Sequence, residues 1–327
     1  MNTKNQKKLE VSIGIPAYNE EANIGYLLHA LLAQKEKNFT LKEIIVVSDG
    51  STDKTAEITR SFTDIRIRLI VNKSRKGQVS AQNIIFTIAK SDVVVLLEAD
   101  TIPLDINYLA RLIEPIVVDN KIGLVQGNLT PLPARTSFGS VLKAQTDIYH
   151  NLSIKDRDVS QWITSGRGGR VFARHVYEKL RWPNAVPEDS YALLWCRSRG
   201  IPTVFQKSAV CNFCCPETFS DLLKTRAKIM SGKKSLEKYF DRDTIEKIYN
   251  RPRHLRMRMF AEFILKYPFY AIYYLWLLVA LKFFQNSKPF SDFSEMTIST
   301  KNLNIISGVS KFNPLHEPYM PSKKIYG

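Results

Sequence analysis

Three short acidic segments of the sequence carry side chains that could do chemistry. Asp49 begins the run Asp-Gly-Ser-Thr-Asp, Glu98 and Asp100 flank one alanine, and the pair Glu188-Asp189 follows a proline. A carboxylate on a tight turn can accept N–H donors from a uracil or guanine edge, although such a residue alone more often caps a helix. Carboxylates after a strand can hold Mg²⁺ or Mn²⁺, and an acidic pair can supply a general base. Each segment alone is weak evidence, because acidic loop residues are common.

The segments between these residues predict a parallel α/β sheet. Short apolar runs alternate with apolar stripes at helical spacing over the first hundred residues. The predicted strands cover residues 11–15, 43–48, 67–71 and 92–97, and the predicted helices cover 24–32, 53–62 and 78–89. Because ligands bind at the carboxyl ends of parallel strands, Pro16, Asp49 and Asp100 should share one cleft.

The second half is less regular. It predicts a strand over 122–127, a helix over 138–151, a glycine-rich loop over 165–169 and a helix over 187–199. Proline and acidic residues suit the first turn of that last helix and its dipole. No repeat or low-complexity linker interrupts the chain, so we expect one catalytic domain over residues 1–240.

Composition indicates a globular protein with an anionic partner. Hydrophobic residues make up 44% of the 327, and the formal net charge is +16. Residues 224–258 hold 12 basic and 4 acidic residues, so half of the excess lies there. The four cysteines are too few for a disulfide framework, and we interpret Cys211, Cys214 and Cys215 as buried strand residues rather than zinc ligands.

The basic block precedes an apolar run over residues 260–284, which only Glu262, Lys266 and Lys282 interrupt. Its charge-free part, residues 267–281, is shorter than the ~20 residues that cross a bilayer. We expect residues 241–290 to associate with an anionic membrane surface, either lying on the bilayer or anchored by one helix, and 291–327 to form a tail. No secretory signal opens the sequence, which places the active domain on the cytoplasmic side.

Five motifs occur in one order along the chain. They read IPAYNEE, VVSDGSTDKT, SRKGQVSAQN, VVVLLEADTIP and PEDSYALLWCRSRG. Over residues 11 to about 232 this series resembles the family-2 inverting glycosyltransferases, and the later CCPETFSDLL is similar to that family's P-E-T turn before a basic helix. The resemblance implies a GT-A fold: a doubly wound, mainly parallel sheet with helices on both faces, here followed by the C-terminal apolar helical segment.

The resemblance also implies a nucleotide-sugar site. Pro16, Tyr18 and Glu20 match positions that contact the nucleotide base. Asp49 matches the carboxylate that reads the base, and Lys76 matches a basic position near the phosphates. The donor would be a UDP- or GDP-sugar.

The catalytic assignments follow in the same way. Asp100 matches the metal ligand that ends the family's D-x-D motif, which implies Mg²⁺ or Mn²⁺. Glu98 replaces the first aspartate of that motif and should contact the ribose or the metal. Asp189 matches the catalytic base, with Glu188 beside it in the E-D motif.

Two further features concern the product. Residues 225–229 read Thr-Arg-Ala-Lys-Ile where processive members carry Q-x-x-R-W, and Arg226 and Lys228 keep positive charge for a diphosphate. The sequence also lacks several membrane spans, so we expect transfer of a single sugar. Gly166, with Gly168 and Gly169, should let the backbone approach the donor sugar or the acceptor.

We therefore expect a metal-dependent inverting transferase that moves a hexose or N-acetylhexosamine to a lipid or lipid-linked glycan. A polyprenyl-phosphate sugar transferase is the alternative, in which Asp189 matters less because the acceptor is already anionic. A nucleotidyltransferase is less consistent, since its glycine-rich basic loop is missing after the first strand. Nucleic-acid binding is disfavoured, because the basic block adjoins an apolar helix rather than interleaved aromatics.

Overall fold

The computed structural model describes residues 8–155, 168–250 and 253–287. Its centre is an eight-stranded sheet in the order β3-β2-β1-β4-β7-β6-β8-β5. The strands are β1 (Leu9–Ala17), β2 (Phe39–Asp49), β3 (Ile67–Asn72), β4 (Val93–Leu96), β5 (Ile102–Pro103), β6 (Leu124–Pro131), β7 (Arg170–Ala173) and β8 (Thr203–Phe213).

The sheet is mixed and mostly parallel. Strands β1 to β4 pair in parallel, as the β–α repeats of the first half predict, and β6 pairs in parallel with β8. Strand β7 runs antiparallel to β4 and β6, and β5 runs antiparallel to β8. The antiparallel pairs join strands that lie far apart in the sequence, so the local pattern of the second half did not predict them.

Helices cover both faces of the sheet, as predicted. They are α1 (Ile24–Leu32), α2 (Thr55–Ser61), α3 (Gln78–Ile88), α4 (Tyr108–Val118), α5 (Ser137–Lys155), α6 (Arg174–Tyr177), α7 (Glu188–Arg197), α8 (Phe219–Leu236), α9 (Arg242–Tyr249), α10 (Arg253–Lys266) and α11 (Pro268–Ser287). Helices α1 and α4 share one buried core with the sheet, while α3, α7 and α9 form a second core on the opposite face.

The C-terminal apolar segment differs from its prediction. It is two helices, α10 and α11, which meet at Tyr267 and Pro268, because proline suits a first turn but not a helix interior. Both pack against α5 through a third core that includes Phe263 and Leu277. Within the described ranges, no helix has the length and apolar character needed to cross a membrane.

Helix α11 is nevertheless apolar on the side that faces away from α5. Phe269, Trp276 and Phe283 are 84%, 61% and 71% exposed. Helix α10 adds exposed Arg253, Arg256 and Arg258. An apolar face beside a basic one therefore lies on the surface of this helical pair.

Candidate active site

The loops that follow β1 and β2 are joined by hydrogen bonds. The backbone N–H of Asn19 donates to Ser51 Oγ over 3.2 Å, and the N–H of Thr52 donates to Asn19 Oδ1 over 2.9 Å. Asn19 adopts φ 53°, a left-handed conformation that asparagine tolerates better than most residues. The structure thus brings the first two predicted motifs together at the carboxyl edge of the sheet.

Asp49 organises the loop before α3. Its carboxylate accepts the backbone N–H groups of Lys76 and Gly77, over 3.0 Å and 2.7 Å, and the Asn72 amide over 2.8 Å. Gly50, at φ 69°, is required here because a Cβ would lie 2.4 Å from the Arg75 backbone nitrogen. This buried scaffolding contact was not foreseen from the sequence, and the reading of a base by Asp49 stays a prediction.

The other predicted base-contacting residues lie on the same edge. The Arg75 guanidinium lies 4.1 Å above the Tyr18 ring centre, a cation–π contact that covers one face of the ring. Glu20 is buried, and its carboxylate accepts the Asn23 amide over 2.7 Å. Pro16 is partly exposed near the end of β1. Sequence reasoning missed Arg75, although it stands beside Lys76 in the basic SRKG motif.

Glu98 and Asp100 follow β4 directly. Both are partly exposed, and Ala99 between them is buried. Among the residues described, no three or more His, Cys, Asp and Glu side chains gather as metal ligands. Two carboxylates fit Mg²⁺ or Mn²⁺ only if the substrate supplies further oxygens, which is how Mg²⁺ is usually held with phosphates.

Asp189 lies in the first turn of α7, where the sequence placed it. Its Oδ1 accepts the backbone N–H of Ser190 over 2.6 Å. Burial and the Glu188 carboxylate raise the pKa of Asp189 to about 6, which Arg170 opposes and Glu98 adds to. That the last two acidic motifs share one site stays a prediction.

Glu188 has a different environment. It is buried, its carboxylate accepts the Gln78 amide over 3.0 Å, and its carbonyl accepts the Trp182 indole N–H over 2.8 Å. It therefore joins α7 to α3, and it acts on Asp189 as a neighbouring charge.

Arg170 is a site residue that sequence reasoning missed. It opens β7 opposite Leu96 of β4 and Gln126 of β6, which places it at the edge where β4 ends. Its side chain is buried, and among the described residues Nη1 has no hydrogen-bond partner. The only signal in the sequence was an arginine directly after two glycines.

The predicted glycine loop is described only in part. Gly166 lies outside the described residues, so its predicted contact stays a prediction. Gly168 and Gly169 pack against protein: a Cβ on Gly168 would lie 2.2 Å from the Asn128 carbonyl oxygen, and one on Gly169 would lie 2.1 Å from Tyr108 Oη. Close approach to β6 and α4 explains these two glycines.

Helix α8 runs beside the site. A Cβ on Gly232 would contact Pro187, the residue before α7, at 3.3 Å. Arg226 is partly exposed on this helix, and Lys228 is exposed, as is Lys76 before α3. These cations are therefore accessible to a polyanion.

The prediction of buried strand cysteines is correct for Cys211 in β8 but wrong for the other two: Cys214 and Cys215 follow the strand, which ends at Phe213, and Cys214 is only partly buried. Burial raises the thiol pKa values of Cys211 and Cys215 to about 12 and that of Cys214 to about 11. These thiols are protonated at neutral pH.

The sequence is similar to those of known proteins. The model of glycosyl transferase family 2 matches residues 12–179. A poly-β-1,6-N-acetyl-D-glucosamine synthase of Staphylococcus aureus is 30% identical over 226 residues, which cover 67% of this chain and 53% of that protein. A UDP-Glc:α-D-GlcNAc-diphosphoundecaprenol β-1,3-glucosyltransferase of Escherichia coli is 28% identical over 145 residues, 43% of this chain and 54% of that protein. The chain spans about half the length of these relatives.

Among solved structures, a mannosyltransferase of Pyrobaculum calidifontis, in complex with GDP-Man and Mn²⁺, superposes with a TM-score of 0.57. The superposition covers 84% of this chain and 75% of the mannosyltransferase chain at 21% sequence identity. This similarity concerns the fold alone. The fold is therefore GT-A-like. Since the family model matches over half of the sequence, the chain belongs to glycosyltransferase family 2.

Proposed function

We propose that this protein transfers one sugar from a nucleotide-sugar donor to a hydroxyl group of a lipid or lipid-linked glycan, with inversion at the anomeric carbon. One observation carries the proposal: the Glu188-Asp189 pair is joined to the Asp49 loop, because the Gln78 amide donates to Glu188 over 3.0 Å while the neighbouring Gly77 N–H donates to Asp49 over 2.7 Å. Burial raises the pKa of Asp189 to about 6. A carboxylate of that pKa is mostly ionised at pH 7, yet it is basic enough to accept a proton in a transition state.

The reaction is a single displacement. The acceptor oxygen attacks the anomeric carbon while its proton passes to Asp189. The bond between the anomeric carbon and the donor phosphate oxygen breaks, and its electron pair leaves with the nucleoside diphosphate. Attack opposite to the leaving group inverts the configuration.

The leaving group needs positive charge. Lys76 and Lys228 are exposed and Arg226 is partly exposed, and we assign these three cations to the diphosphate. Asp100, together with Glu98, would hold a divalent cation that the diphosphate also ligates. Such a cation, when bound, neutralises charge on the departing phosphate.

The base site is proposed to comprise Pro16, Tyr18, Glu20 and Asp49, with a donor of the UDP or GDP type. The relatives' names support a hexose or N-acetylhexosamine, because they specify N-acetylglucosamine polymer, UDP-glucose and GDP-mannose. Replacement of the Q-x-x-R-W motif by residues 225–229 favours transfer of one sugar over polymer synthesis.

The C-terminal helices suggest where the acceptor resides. The exposed apolar face of α11 and the exposed arginines of α10 suit an anionic bilayer surface, with the helices lying in its plane. We propose attachment at the cytoplasmic side of the cell membrane, where lipid acceptors are found. A polyprenyl phosphate is the alternative acceptor, and because it is already anionic, Asp189 would be less needed as a base.

A donor panel tests this proposal directly. Thermal unfolding would be followed with UDP-glucose, UDP-N-acetylglucosamine, dTDP-glucose and GDP-mannose, each with and without Mn²⁺. A donor at 100 times its Kd should stabilise the protein by about 2.7 kcal/mol. Stabilisation by a UDP- or GDP-sugar that needs Mn²⁺ would support the proposal, and an unchanged melting temperature with all four donors would contradict it.

A further inference from the structure

A chain of hydrogen bonds connects helix α9 to the Asp189 carboxylate. The Tyr249 hydroxyl donates to Ser190 Oγ over 2.9 Å, and the Ser190 hydroxyl donates to Asp189 Oδ1 over 3.2 Å. The backbone N–H of Ser190 reaches the same oxygen over 2.6 Å. Because an ionised carboxylate only accepts, the direction of this chain is fixed from the tyrosine to the aspartate.

The tyrosine is itself held in place from two helices. Lys233 of α8 lies 5.9 Å from the centre of the Tyr249 ring and forms an ion pair with Glu246 of α9 over 2.7 Å. Ile245 and Ile248 on α9 are buried in the core shared with α7. The Tyr249 hydroxyl is thus a fixed donor, and burial raises its pKa to about 12, so it keeps its proton at neutral pH.

We propose that Tyr249 is a positioning residue for Asp189 and acts through the Ser190 hydroxyl. The inference rests on the proposed function, which makes Asp189 the base. Two donors on Oδ1 restrict the rotation of the carboxylate, and we assign the acceptor proton to Oδ2. Without the tyrosine hydroxyl, the serine hydroxyl can rotate, and the orientation of the base is less restricted.

The test measures release of nucleoside diphosphate with water as the acceptor, using whichever of UDP-glucose, UDP-N-acetylglucosamine or GDP-mannose stabilises the protein. Tyr249→Phe keeps the ring and removes the donor. We expect its kcat to fall about three- to tenfold, the scale of one hydrogen bond, with KM unchanged. Ser190→Ala should fall by a similar factor, and adding Tyr249→Phe to it should cost nothing more, because both changes break one chain.

The matched control is Tyr239→Phe. Tyr239 also packs its ring in this region, 5.7 Å from Tyr191, but its hydroxyl is not part of the chain. Its kcat should equal that of the wild type. If Tyr249→Phe does not fold, a wild-type kcat in Ser190→Ala would still overturn the proposal, because the chain runs through that hydroxyl.

The outcomes separate this inference from the proposed function. An inactive Asp189→Asn beside a fully active Tyr249→Phe would overturn the positioning role alone. Independent, multiplying losses in Tyr249→Phe and Ser190→Ala would overturn it as well. A normally active Asp189→Asn would overturn both proposals.

Discussion

The position of Asp189 could be predicted from the sequence, but its pKa depends on residues that only the fold brings near it. Its place at the start of a helix was correctly predicted, and an acidic residue there suits the helix dipole, which favours the ionised form. In the structure, burial and Glu188 outweigh that effect and raise its pKa to about 6. Neither Arg170 nor Glu98 is near it in sequence, so their opposing contributions could not be predicted. The result is a base better matched to neutral pH.

The raised pKa of Asp189 also predicts a pH-dependent stability. Its value in the unfolded chain is near 3.8, so the folded protein loses stability as pH rises from 4 through 6 and the buried group ionises. Asp189→Asn should therefore increase the free energy of unfolding by on the order of 1–3 kcal/mol at pH 8 and leave it unchanged near pH 4. Urea unfolding at both pH values measures this. An equal effect at both would show that the charge of Asp189 is not the cause.

The proposed metal ligand gives a second prediction at this scale. Asp100→Ala should abolish the Mn²⁺-dependent part of donor binding, because the cation would lose a carboxylate that the solvent does not replace. Glu114→Ala, which removes an exposed carboxylate on α4, serves as the control and should bind normally. Titration calorimetry with and without Mn²⁺ decides it: identical Mn²⁺ dependence in both variants would exclude Asp100 as a ligand.

At the scale of elements, the sequence predicted the P-E-T turn, residues 216–218, as a family motif. It did not predict that this turn forms a junction between the starts of two helices. Glu217 is buried and accepts the backbone N–H groups of Arg135 and Thr136, each over 3.0 Å, at the start of α5. Thr218, next to it, accepts the N–H of Asp221 and begins α8. One turn therefore fixes the starts of two helices, a pairing across 81 residues that no local pattern shows.

Loss of this junction should be measurable. Glu217→Ala leaves buried N–H donors without a partner, which should destabilise the protein by about 1–3 kcal/mol. Glu237→Ala removes an exposed glutamate just after α8 and should change stability little. Chemical unfolding of the two variants compares them. Equal stability would mean that Glu217 does not hold the two helices.

For the whole molecule, the fold of the first half of the chain was predictable, because alternating strands and helices connect parallel strands by right-handed crossovers. The position of β7 between β4 and β6, and the split of residues 260–284 at Pro268, depend on contacts between distant segments. The hydropathy pattern predicted residues 260–284 only as one apolar run. The structure divides it into a buried side against α5 and an exposed side, which is the basis of the proposed membrane attachment.

That attachment predicts a specific loss. Changing Phe269, Trp276 and Phe283 to serine removes exposed apolar area without touching the core, so binding to anionic liposomes should fall strongly. The matched control changes Ile65, Val71 and Val118, also exposed but far from the basic helix in sequence, and should sediment like the wild type. Equal sedimentation of all three proteins would contradict attachment through α11.

The most direct measurement compares sugar transfer by the wild type and Asp189→Asn as a function of pH. Wild-type turnover should fall as pH decreases through about 6, where Asp189 takes up a proton. Asp189→Asn should lose about 10²–10⁴-fold in kcat at pH 7.5, with donor affinity by calorimetry nearly unchanged, because the amide cannot accept the acceptor's proton. Near-normal turnover of Asp189→Asn with a hydroxyl acceptor would contradict the role of Asp189 as the base.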